Sequence, residues 1–271
     1  IAAQTAQIVG NGLGGALLVV LAPRDLILLN AASFAVSAAL TRLGLRKRPA
    51  REVASRVPLL RDSLRGARDV LAPGRLRRLL VFGWLVPACA VAPEALAAPY
   101  VFASGGSRVL VGIWLVALPV GIISGDLLGV WRLSPGRQRR LVVPLAAVMF
   151  LPYLAFLVRP PVPLALALLA LSGLGGAYAL GLDALVRDTA PRPLFARTMA
   201  INSAGLMTVQ GLGFTAAGAL AELLAPAYVI AAAGAFGLAT IALLRPGRSP
   251  GAVGALARDD HAPGPESQSY G

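Results

Sequence analysis

One carboxylate, Glu94, stands inside a long apolar run, and Pro87, Pro93 and Pro99 surround it at six-residue intervals. A charged acid among hydrocarbon is costly unless it meets water or a partner, so an acid placed there is a candidate for proton binding or proton coupling. Each proline removes a backbone donor and interrupts the helical ladder, which favours a discontinuous helix beside a cavity. The other reading of Glu94 is a hydrated side chain near one mouth of its span. Asp126 and Asp183 lie one to two turns from the ends of their apolar runs, with Arg132, Arg187 and Arg197 as neighbours. Such charges can latch a gate that breaks when helices rock apart, or they can anchor helix ends at the interface. Asn202 and Gln210 are eight residues apart, so a helix puts them roughly on one face, lining a pathway or bridging helices.

Other chemistries find little material. Cys89 is the only cysteine and His261, in a polar tail, the only histidine, which excludes a disulfide framework and a Cys-based zinc cluster. The residue types therefore offer no catalytic group, no metal site and no cofactor site. Gly10-Asn11-Gly12-Leu13-Gly14-Gly15 fits the G-x-G-x-x-G spacing of dinucleotide sites, but that motif needs a preceding strand and a later acid. Here it sits in an apolar run, where glycines serve close helix packing. Further small-residue ladders, Gly121, Gly125 and Gly129, Gly173, Ala177 and Gly181, and Gly211 with Thr215, offer smooth faces for packing or sliding. Tyr100, Trp114 and Trp131 fall near the ends of apolar runs and read as interfacial anchors.

The elements that must position these residues are helices of membrane length. The chain has 271 residues, 57% hydrophobic and only 14% charged, with a mean hydropathy of +0.73. Soluble domains sit near 45–50% apolar, so the composition disfavours a soluble enzyme and an all-α integral membrane protein is expected. About eight segments approach the roughly 20 apolar residues that a span requires: Gln4–Leu21, Leu26–Leu43, Leu79–Ala103, Val109–Trp131, Leu141–Val158, Val162–Val186, Thr198–Leu220 and Ala227–Leu244. Net charge is +13, yet 22 of the 25 basic residues fall in alternate connections and the C-terminal tail. That distribution speaks for membrane orientation rather than nucleic acid, and puts both ends in the cytoplasm of a multi-pass protein of the inner (plasma) membrane. The connection after the second span is the longest, and Val57, Leu60, Leu64, Ala67 and Leu71 give it one apolar helical face. It reads as a basic amphipathic helix on the leaflet, or equally as a linker helix between two bundles. The tail is rich in Gly, Pro and Ser and reads as disordered.

Two spans, a long basic loop, six spans and a tail resemble helices five to twelve of a major facilitator superfamily transporter. Gly10 to Leu17 with Leu29-Asn30-Ala31-Ala32-Ser33-Phe34 look like helices five and six of its drug- and siderophore-exporter branch. Asp188 to Met199 resembles the loop between helices ten and eleven, keeping only Arg197 of the usual Arg-Gly-Arg. Gly12-Leu13-Gly14 with Leu21-Ala22-Pro23 also echoes Gly211-Leu212-Gly213 with Leu224-Ala225-Pro226, as parallel half-repeats would. The resemblance implies residues 1–43 as the last two helices of an N-terminal half and 44–78 as the central cytoplasmic loop. Residues 79–244 are then the C-terminal six-helix half, and 245–271 the tail.

The resulting expectation is a C-terminal fragment of a proton-coupled exporter of a small hydrophobic drug or metabolite, working by alternating access. Its partners would be the lipid bilayer, an unidentified small-molecule substrate and the N-terminal helices of the same carrier. Glu94 is the coupling candidate, Asp126, Arg132, Asp183, Arg187 and Arg197 the cytoplasmic gate candidates, and Asn202 and Gln210 the pathway-lining candidates. The rivals are a non-transporting scaffold, an inactive remnant and a membrane-embedded enzyme. The scattered acids and the lack of a histidine in any span speak against the last.

Overall fold

The computed structural model describes residues 23–44 and 66–245, together with Gly10. Among these residues the regular elements are all helices and no strand occurs. Helix α1 runs Pro23–Gly44, with a proline at its start and Asp25 and Arg42 in its first and last turns, where each charge complements the helix dipole. Helix α2, Arg75–Ala103, is built of three pieces, Arg75–Ala90, Ala92–Ala95 and Ala97–Ala103. Helix α3, Arg108–Arg132, starts at Ser107, whose side chain accepts a long 3.5 Å hydrogen bond from the Leu110 amide.

A short helix, Pro135–Arg140, leads to α4, Val142–Val158, which tightens into a 3-10 turn at Ala155–Val158. Arg159, in a left-handed conformation with φ 49°, and the two following prolines then end the helix. Helix α5, Val162–Thr189, carries a 3-10 turn at Gly175–Ala177. Helices α6, Phe195–Ala221, and α7, Pro226–Leu244, complete the set.

Among the described residues six stretches are long and apolar enough to cross a membrane: Ile27–Gly44, Arg75–Ala103, Arg108–Arg132, Val162–Thr189, Arg192–Ala221 and Pro226–Leu244. The expected span at Leu141–Val158 is a shorter apolar helix, and the one at Gln4–Leu21 lies outside the described residues except for Gly10. Most of the expected amphipathic helix in the long connection also lies outside them. Its end is described: residues 66–70 are helical, and Val70 is buried against the bundle. The expected disordered tail from Pro246 is not among the described residues either.

Helices α2 to α7 pack around one core. Helix α3 lies along α5, α5 along α4, α4 along α7, α7 along α2, and α2 along α6. Phe82, Trp114, Phe150, Tyr153, Phe156, Leu169 and Ile230 are fully buried within it. The outward faces stay apolar: Ile27, Phe34 and Leu43 on α1, Leu128 and Trp131 on α3, and Met207 and Leu212 on α6 are all exposed. A helix apolar all round suits lipid outside and packing inside.

Glycine sets the closest contact. A Cβ on Gly121 would lie 2.8 Å from the Gly173 Cα, and one on Gly173 would lie 2.7 Å from the Gly121 Cα. Gly125 meets the Leu174 backbone in the same way, while Gly129 faces the Ala177 Cβ at 3.6 Å. Residue numbers rise together along both helices, so α3 and α5 run parallel with their backbones in contact. Two of the three small-residue ladders thus interlock here, whereas Gly211 faces open space.

Candidate functional site

Pro87 sits inside the first piece of α2, whereas Pro93 and Pro99 accompany its two breaks, and side chains from other helices bond carbonyls beside them. Pro93 cannot donate to the Cys89 carbonyl, nor Pro99 to the Ala95 carbonyl, and turns at Val91 and Leu96 separate the pieces. The Ala90 carbonyl accepts a 2.9 Å bond from the Tyr153 hydroxyl, and the Pro93 carbonyl accepts one of 2.7 Å from Trp114 Nε1. Buried backbone carbonyls at such breaks need partners, and these two have them. Glu94 is the residue next to Pro93, so the Trp114 indole holds the short piece that carries the acid.

Beyond that point the bundle closes with aromatic rings. Tyr100 and Trp114 lie 4.7 Å apart between centroids, and Phe156 stands 5.5 Å from Tyr100 and 6.1 Å from Trp114. The Tyr100 hydroxyl donates to the Pro160 carbonyl at 2.7 Å, and the Arg159 guanidinium sits 4.7 Å above the Tyr228 ring. The turn between α4 and α5 is thereby tied to both α2 and α7. Tyr100 and Trp114 were expected as interfacial anchors. They are instead buried, at 4% and 1% exposure, because each finds a carbonyl for its polar atom inside the bundle. Trp131 is exposed, as an anchor would be.

A cavity of about 300 Å³ opens on the other side of Trp114. Helix α2 lines it with Pro87, Val91 and Glu94, and α3 with Trp114, Leu118, Ile122 and Asp126. Met149 of α4, Leu169 and Tyr178 of α5, and Leu206 and Gln210 of α6 close the remaining walls. Most of this surface is apolar, with two carboxylates and one amide set into it. Asp126 is 9% exposed, and among the described residues no hydrogen bond or ion pair engages it. Cavities of this size with few polar groups are the usual form of small-molecule sites.

The residues expected to act together are only partly brought together. Glu94, Asp126 and Gln210 share the cavity. Asn202 does not line it. Its backbone and side-chain oxygens accept from Trp84 Nε1 at 3.1 and 3.2 Å, bridging α6 to α2. Asp183 pairs with Arg187 at 3.8 Å on its own helix, with both side chains more than half exposed. Arg132 is exposed in the last turn of α3, and the Arg197 side chain lies where a Cβ of Gly66 would stand. The five gate candidates therefore form no single cluster.

Sequence reasoning missed a different ion pair, Arg139 to Asp188 at 2.8 Å, which joins the Pro135–Arg140 helix to the end of α5. Gln138 positions that helix by donating to the Gly129 and Leu133 carbonyls at the end of α3. No spacing in the sequence reports a distance between two connections, so this pair carried no signal. Trp114 and Tyr178 were missed as cavity walls for a similar reason. An aromatic residue in an apolar run shows its depth but not the direction it faces.

Among the described residues no three of His, Cys, Asp and Glu gather as metal ligands would. Fold and cavity together define a class: an all-helical protein whose apolar helices can cross a membrane and enclose a mainly apolar cavity bearing two acids. Comparison with protein-family models, curated proteins and solved structures finds no match to the chain.

Proposed function

We propose that this chain is the membrane body of a proton-coupled secondary transporter that moves a small, largely apolar molecule across a bacterial inner membrane. The observation that carries the reading is the cavity between α2, α3, α5 and α6, in which Glu94 and Asp126 stand among apolar walls. A carboxylate kept inside a membrane bundle has a function as its default explanation. The break in α2 supplies the second support, because discontinuous helices at mid-membrane are where carriers place substrate and coupling-ion sites. Both ends lie in the cytoplasm in this reading, and export, rather than uptake, rests on the resemblance to the drug- and siderophore-exporter branch of the major facilitator superfamily.

Glu94 binds the coupling proton, Asp126 faces the same space from the opposite level of the bundle, and substrate occupies the apolar middle. Protonation of Glu94 removes a charge from the cavity and lets its lining dehydrate, which is the step that rocking of the helices needs. The test uses Glu94→Gln, which keeps size and hydrogen-bonding capacity but has no titratable proton. In proteoliposomes the expected outcome is loss of transport driven by a pH gradient, with insertion and thermal unfolding unchanged, and partial activity in Glu94→Asp. Wild-type rates in the Gln variant would remove Glu94 from the mechanism.

A further inference from the structure

The two acids of the cavity do not stand together. Trp114 and Asp126 are twelve residues apart on α3, so they mark levels about 18 Å from each other along the helix axis. Glu94 belongs to the Trp114 level, because the adjacent Pro93 carbonyl accepts the Trp114 Nε1 bond. Asp126 belongs to the other level. Gly125 beside it abuts Leu174, and Gly129 abuts Ala177, which places Tyr178 within about a turn of Asp126. Both Trp114 and Tyr178 line the cavity. Each end of the space therefore holds one carboxylate and one aromatic ring.

The middle is of another character. Leu118, Ile122, Met149 and Leu206 wall the stretch between the two ends. A volume of about 300 Å³ spread over about 18 Å leaves a narrow slot rather than a round chamber. A cation at either end meets a carboxylate beside an aromatic residue of the lining, and aromatic rings attract cations. An alkyl chain meets only apolar side chains between them. Asp126 is nine-tenths buried, lines the cavity and, among the described residues, has neither a hydrogen bond nor an ion pair.

We propose that this slot binds an elongated dication: two amine or quaternary ammonium heads joined by an unbranched apolar chain, one head at Glu94 and Trp114, the other at Asp126 and Tyr178. This deepens the transporter reading by naming its substrate class, and rests on it only for the movement of the ligand. Binding itself stands on the cavity.

The experiment is equilibrium binding by calorimetry to the full chain in lipid nanodiscs, with decamethonium as the probe. Decyltrimethylammonium has the same chain with one head, and tetramethonium has two heads too close together to span the slot. Decamethonium is expected to bind about tenfold or more tightly than either, the worth of one further charged contact. Asp126→Asn and Glu94→Gln should each reduce decamethonium to the affinity of the single-headed probe, while leaving that probe at least one intact end. This retained binding also shows that the variants are folded. Equal affinity for one-headed and two-headed probes, or a variant that loses no decamethonium affinity, overturns the proposal, as does a variant that loses both probes alike. If decamethonium binds as described but no pH gradient drives its flux, the slot stands and the transporter reading fails.

Discussion

Replacing Trp114 by phenylalanine would keep the ring contact with Tyr100 and remove the donor that the Pro93 carbonyl uses. Pro93 is buried, so its oxygen would be left without that partner or with a trapped water. The expected cost is about 1 kcal/mol, since hydrogen bonds inside membrane proteins are worth roughly as much as those in water. Thermal unfolding in detergent checks it, with the exposed Trp131→Phe as the variant that should change nothing. Tyr153→Phe should behave like Trp114→Phe, because it strips the Ala90 carbonyl of its hydroxyl. At this scale the sequence was informative about Glu94 and poor about its neighbours. An acid flanked by three prolines is conspicuous in a linear string, as Asp126 is beside Gly125. That Trp114 turns inward to reach Pro93 depends on how α2 and α3 are rotated against each other. Periodicity cannot report that rotation when both helices are apolar on every side.

The parallel pair α3 and α5 is the element on which the cavity depends, since it supplies Trp114, Asp126 and Tyr178 from two helices in backbone contact. Gly121→Val or Gly173→Val would drive a side chain into the facing backbone, and no rotamer relieves a clash that already exists at Cβ. Each should destabilise by about 3 kcal/mol or leave the bundle unfolded, given that overpacking alone costs about 1–3 kcal/mol. Gly211→Ala is the contrast, because a Cβ there meets nothing within 4 Å. It should be neutral or slightly stabilising, as Ala is the better helix former by about 0.5–1 kcal/mol. Size-exclusion profiles and unfolding temperatures of the three variants would separate them. Helix extents were largely legible, since apolar runs and their Pro and Arg punctuation mark where α3, α5, α6 and α7 begin and end. The four-residue ladders identified glycine faces as well. Nothing in the ladders said which helix each would meet, because every ladder in a chain so rich in Gly and Ala looks alike.

For the whole molecule the arginines make the strongest claim. Residues 132–140, with Arg132, Arg137, Arg139 and Arg140, lie at one end of α3, and the only basic residue at its other end is Arg108, its first residue. Basic residues resist translocation, so the proposed orientation puts the first cluster in the cytoplasm and the α2–α3 turn outside. Parallel packing of α3 and α5 agrees with a chain that crosses once more between them through the shorter α4. If α4 failed to cross, α5 would have to run against α3 rather than beside it in the same direction. The consequence can be read with a single thiol on each side. Cys89 is buried and alone, so Cys89→Ser gives a background without cysteine. Ser104→Cys then marks the α2–α3 turn and Gly136→Cys the α3–α4 connection, both exposed positions. In intact cells a membrane-impermeant maleimide should label position 104 at once and position 136 only after the membrane is opened. A reporter fused after Arg245 should likewise be active only in the cytoplasm. Labelling of both thiols from the same side would mean that α3 does not cross. The two carboxylates would then not stand at opposite depths of the bilayer, and the slot between them could not serve as a path across it.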